Sequence, residues 1–125
     1  MATDAHGWVE VYDPDDDRWD AVIVATHFMD RDYALFGAWF GVRSTGTPAA
    51  VAGGRGLPED LSPHVLADVK AWSPVHSPTW VSWDELRQHP PLSAGSNWRV
   101  LLALMETLSE THPPRHVRLV VWFDQ

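Results

Sequence analysis

The 125-residue chain has no cysteine, only two tyrosines, and nine basic residues against 17 acidic ones. Each shortage closes a route. Without cysteine there are no disulfides, no thiolate nucleophile and no cysteine-ligated zinc, which suits a reducing compartment. A formal charge of −8 repels phosphate backbones, so no nucleic-acid partner is expected. Apolar runs of bilayer length are also missing, so nothing should span a membrane. The opening MATDAHG is polar and carries no signal-peptide core, and the expected setting is cytoplasmic.

What is present is apolar residues at 45% and eight tryptophans. That supports one domain, residues 1–125, with its own core and no staples. Tryptophan is seldom fully buried, so some of the eight should reach the surface, as stacking platforms or as the patch of a homo-oligomer.

The chain is organised around Asp30 to Arg43, DRDYALFGAWFGVR. Leu35, Phe36, Trp39, Phe40 and Val42 point all round a helical axis, which predicts a buried helix with Asp30 as its cap. Gly37 and Gly41 share one face and suggest close backbone contact with a sheet. Before it, Gly7–Tyr12 and Trp19–His27 alternate as strands around the turn DPDDDR, a hairpin. The Asp13, Asp15, Asp17 spacing resembles a calcium loop, but Arg18 and Val24 stand where glycine and a bidentate glutamate belong.

After it, Ser44–Leu61 reads as loop, with Arg55 among glycines in GGRGLP. Ser62-Pro63 starts a helix with Val65, Leu66 and Val69 inward, and Ser73–Trp80 reads as a proline-rich loop. Ser82 and Glu85 form a capping box with Val81 and Leu86 as its staple, ahead of a short helix stopped by Pro90-Pro91. Trp98, Leu101, Leu102, Met105 and Leu108 stripe a further helix, and His116–Phe123 closes the chain as a buried central strand. The predicted fold is α+β: a small antiparallel sheet, made of the N-terminal hairpin and the C-terminal strand, packed on one face by about four helices.

Polar residues at helix ends and in glycine- or proline-fixed loops are the candidate site: Arg31, Asp32, Tyr33, Arg43, Arg55, His76, Ser77 and Trp80. Three converging guanidinium groups suit a phosphate or carboxylate. The seven histidines show no ligand spacing, so no metal or other cofactor is expected. There is no GxSxG elbow, and adjacent His76 and Ser77 are poorly placed to face each other, so no catalytic residue is assigned.

RDYALFGAWFGVR, GRGLPEDLSP, HSPTWVSWDEL and the terminal VRLVVWFD, in that order, resemble a family of small uncharacterised proteins of phages, prophages and some bacterial genomes. The resemblance implies that Arg31, Tyr33, Phe36, Arg43, Arg55, Gly56, Leu57, Pro58, His76, Ser77 and Trp80 lie on its motifs. GAWFGV stands where the family has smaller aliphatic residues. No activity is implied, but a phage setting suggests opposition to host defence. The first expectation is therefore a non-enzymatic binding protein for an anionic, nucleotide-like small molecule. The second is an acidic interaction module that blocks a host protein through Asp13–Asp20, and the third an enzyme with His76 as acid or base.

Overall fold

The computed structural model describes residues 2–43, 49–90 and 95–125, and in them a four-stranded antiparallel sheet carries helices on both faces. Residues 44–48 of the expected loop and Pro91 of the expected helix stop lie outside the described residues.

β1 (Asp4–Asp13) and β2 (Arg18–Val24) form the expected hairpin. The Asp13 carboxylate accepts from the amides of Asp15 and Asp16 and so holds the turn. Val9 pairs with Ile23 and Glu10 with Ala21, which leaves Val22 as a bulge. β2 stops at Val24, short of the expected His27, because the backbone turns into a 3-10 segment, Thr26–Phe28. There the Ala25 amide donates to the Gly7 carbonyl at 2.9 Å and the Thr26 hydroxyl accepts from the Gly7 amide at 3.1 Å. Only glycine fits at position 7, since a Cβ would stand 2.4 Å from the Val120 carbonyl oxygen.

β4 (Val117–Asp124) lies between β1 and β3 and is buried from Val117 to Phe123, the central strand expected from its sequence. β3 (His76–Ser82) corrects the reading of Ser73–Trp80 as loop. It is an edge strand, and the Pro78 carbonyl points outward to the Gly56 amide at 3.0 Å. A residue's N–H and C=O point the same way in a strand, so the N–H that proline lacks removes no bond to β4.

Two core layers replace the single one expected. α1 (Tyr33–Leu35), the π-helical turn Phe36–Phe40 that continues it, α3 (Trp83–Leu86) and α4 (Ser96–Leu108) form one layer. It packs Phe36, Trp39, Phe40, Trp98, Leu101 and Met105 against Val9, Leu119, Val121 and Phe123. α2 (Pro63–Trp72) covers the opposite face, over Val120 and Trp122. The cause is β4, whose side chains are apolar on both faces and need cover on both. The indoles of Trp8 and Trp19 pin that layer, donating to Asp68 at 2.7 Å and Asp60 at 3.0 Å.

The central segment is buried as its sequence predicts, but Asp32 rather than Asp30 caps it, accepting from the Leu35 amide at 3.0 Å. Asp30 is engaged elsewhere. Its carbonyl accepts from the Trp98 indole at 2.8 Å and its carboxylate from the Asn97 amide at 2.9 Å. Gly41 ends the segment in the left-handed region (φ 70) and sits against Ala50 and Gly53, not the sheet. In α2, Ser62 caps as expected and Val65 and Val69 face inward, while Leu66 is exposed. The capping box of Ser82 and Glu85 is complete.

Candidate functional site

The antiparallel register sets Asp4 opposite Asp124, Ala5 opposite Phe123 and His6 opposite Trp122, with His76 of β3 facing Phe123 from the other side. β1 and β3 start, and β4 ends, at this one end of the sheet. The start of α1 reaches it too. The Arg31 guanidinium donates to both carboxylate oxygens of Asp4, at 2.6 and 3.2 Å. That bond from Arg31 is the main reason the Asp4 carboxyl titrates below its ordinary value, and Asp4 in turn raises the Arg31 pKa. The Tyr33 hydroxyl accepts from the Thr3 amide at 3.2 Å. Arg43 lies over the Tyr33 ring, 4.1 Å from its centre, and donates to the Thr3 hydroxyl at 3.3 Å.

Two histidines complete this end. His6 stacks on Trp72, the last residue of α2, with centroids 3.9 Å apart, and its Nε2 is 2.9 Å from the Asp124 carboxylate. His76 stacks over Phe123 and its Nδ1 is 2.9 Å from the Ser77 hydroxyl. Adjacent His and Ser therefore do face each other, against the expectation from sequence. Ser77 sits in the left-handed region (φ 53), which turns its side chain back on the preceding ring. The pair still lacks the orienting group of a nucleophile–base arrangement, because the buried His76 Nε2 has no partner among the described residues. His6 Nδ1 and Trp122 Nε1 are likewise buried without a partner among the described residues, at the same end.

Arg31, Asp32, Tyr33 and Arg43 are thus gathered around Thr3–Asp4, and His76 and Ser77 lie two strands across. Arg55 and Trp80 are elsewhere. Arg55 holds Glu85 in a two-pronged ion pair (2.9 and 2.5 Å) and donates to the carbonyls of Trp80 and Val51 at 3.2 and 3.1 Å. Four of its five N–H donors are spent inside the chain, and its guanidinium rests on the Trp80 ring at 4.8 Å. The bond from Arg55, with two more from Ser82, pulls the Glu85 carboxyl down to about 2. The three arginines do not converge: Arg55 anchors the GGRGLP loop to the β3 edge.

The sequence reading passed over the charged cluster on the α2 face. Arg118 binds the fully buried Glu10 (Nε–Oε1 2.8 Å) and the exposed Asp60 (2.9 Å), and lies 3.8 Å over the Trp19 ring. The Ser62 amide donates to the other Glu10 oxygen at 3.0 Å. The signal was one acid and one base, each alone inside an apolar strand, VEV and HVRLVV. Beside this cluster an open cleft of about 620 Å³ runs between β2 and the start of α2, with Trp19, Asp20, Asp60, Ser62 and His64 in its walls. Among the described residues no three histidine or acidic side chains gather as metal ligands would. Among the described residues, too, no helix is long and apolar enough to cross a membrane.

No protein-family model, curated protein or solved structure matches the chain.

Proposed function

We propose that the chain is a non-enzymatic binding protein for an anionic, ring-bearing small molecule of the nucleotide kind, taken at the end of the sheet where Arg31, Tyr33 and Arg43 meet. The observation that carries this reading is the Arg43 guanidinium on the Tyr33 face, 4.1 Å away, beside a second arginine whose ion-pair partner, Asp4, is exposed. Exposed ion pairs contribute little to stability, so a phosphate or carboxylate can replace Asp4 on Arg31 at small cost, bound bidentately. Asp32 acts by fixing the helix start, and His76 and Ser77 offer hydrogen bonds from across the sheet. Arg55 and Trp80 drop out of the binding set and belong to the scaffold.

The resemblance to small phage proteins supports a setting in which a host defence signal is sequestered, and the cysteine-free composition supports a cytoplasmic one. Native mass spectrometry of protein taken from its own cells, then titration with nucleoside mono-, di- and triphosphates, tests the reading. A bound nucleotide-like mass is expected. Arg31→Ala and Arg43→Ala should each weaken binding about tenfold, a factor that corresponds to about 1.4 kcal/mol of binding energy. Arg55→Ala should lower the unfolding midpoint and leave affinity per folded molecule unchanged. Absence of nucleotide binding, or dependence on Arg55 alone, overturns the proposal.

A further inference from the structure

The sheet has two edges, β2 and β3, and they are treated differently. The chain closes the β3 edge itself. The Gly56 amide donates to Pro78, the Arg55 amide to the Thr79 hydroxyl at 3.4 Å, and the Arg55 side chain to the Trp80 carbonyl. Along β2, among the described residues, no backbone group of Trp19–Val24 makes a hydrogen bond beyond the pairing with β1. The alternate residues of this stretch that do not bond to β1 therefore offer a row of outward amides and carbonyls, with Val22 and Val24 exposed along it. Such a row is a template for one more strand.

Charge selects what can add. The hairpin Asp13–Asp20 carries five aspartates against one arginine. Arg18 pairs with Asp16 and Asp20, and Asp17 accepts from the Tyr12 hydroxyl. Asp15 projects into solvent. Another copy of this chain brings −8 to the contact and is repelled. A basic segment is attracted, and the cleft gives its side chains a place. A strand added about 4.8 Å from β2 sends alternate side chains to the α2 face. Those side chains meet Trp19 and Asp60 in the cleft wall, while Asp20, paired with Val11, faces the other side of the sheet.

We propose that the outer edge of β2 docks a basic, extended segment of a partner protein, which adds as a fifth strand and sets an arginine or lysine into the cleft beside Asp60 and the Trp19 ring. The bulge at Val22 limits the match to a short stretch, so the acidic hairpin supplies attraction and the edge supplies register.

The probe is a synthetic peptide of alternating arginine and valine, tested beside two controls: the same peptide with glutamate for arginine, and the same peptide N-methylated at alternate backbone amides. The readouts are titration and amide hydrogen exchange on the whole protein. The basic peptide should bind, slow exchange at β2 while leaving β3 unchanged, and weaken at least about tenfold on raising salt from ~50 to ~300 mM. N-methylation should weaken it about as much, since it removes ladder donors and leaves every charge. Asp15→Asn with Asp16→Asn, on an exposed turn, should lower affinity without moving the unfolding midpoint. Equal binding by the N-methylated peptide reduces the contact to bare charge attraction and overturns strand addition. Binding by the glutamate peptide, protection at β3 instead of β2, or concentration-dependent self-pairing of β2 in place of peptide binding overturns it as well.

Discussion

Arg118 meets Glu10 at 2.7 Å with both side chains almost wholly buried (4% and 0% exposed), whereas Arg31 meets Asp4 at 2.6 Å with about half of each exposed (54% and 46%). The bonds are alike and the surroundings are not. At the middle of the sheet the guanidinium is locked between Glu10, Asp60 and the Trp19 ring, and neither charge has water to fall back on. At the end of the sheet water can replace either partner. The first pair therefore specifies how α2 and its preceding loop sit on the sheet. The second is the one a ligand can exchange. Arg55 with Glu85, a quarter to a third exposed (26% and 33%), falls between them.

The largest effect expected from this contrast is at Arg118. Arg118→Ala should cost about 3–5 kcal/mol of unfolding free energy in denaturant titration, because it strands Glu10 in the core. Removing both charges with Glu10→Leu and Arg118→Met should recover most of that loss, and failure to recover would break the contrast. Arg55→Ala should cost about 1–2 kcal/mol, since its bonds are charged but partly screened. The same pair gives a pH signature. The Glu85 carboxyl titrates at about 2 in the folded chain, below its ordinary 4.5, so its stabilisation is complete above about 4.5 and fades as pH falls towards 2. Glu85→Gln should flatten the stability profile in that window. Asp32→Ala should cost about 1 kcal/mol as a lost cap, and Asp30→Asn less, because its carbonyl still serves Trp98. The smallest effect is at Arg31: Arg31→Ala should leave the unfolding midpoint where it is while binding weakens.

The hairpin, the helix caps at Ser62 and Ser82 and the central β4 were legible because each is written in adjacent residues: alternation, a cap followed by its partner, an unbroken apolar run. β3 was hidden by Pro74 and Pro78, which read as loop until the outward-facing edge explains the tolerance of proline. Which aspartate caps the central segment could not be read from DRDY, because the choice is made by Trp98 and Asn97 nearly seventy residues on. The candidate site divides the same way. Polar residues in unusual places were visible, and six of them do gather at one sheet end. Nothing local in GGRGLP foretold that Glu85, thirty residues away, would occupy Arg55. Glu10 was passed over because strand alternation absorbed it as an outward position, Arg118 because it lay in a run read as buried and apolar, and His6 and Asp124 because they lay just outside the strands read as Gly7–Tyr12 and His116–Phe123.

The closure of the β3 edge by Arg55 and Gly56 has a consequence for stoichiometry. A sheet with two open edges is divalent and can grow head to tail into a filament. This one, among the described residues, has a single open edge: a strand can join at β2, and the covered β3 edge offers no second site from which the same sheet could extend.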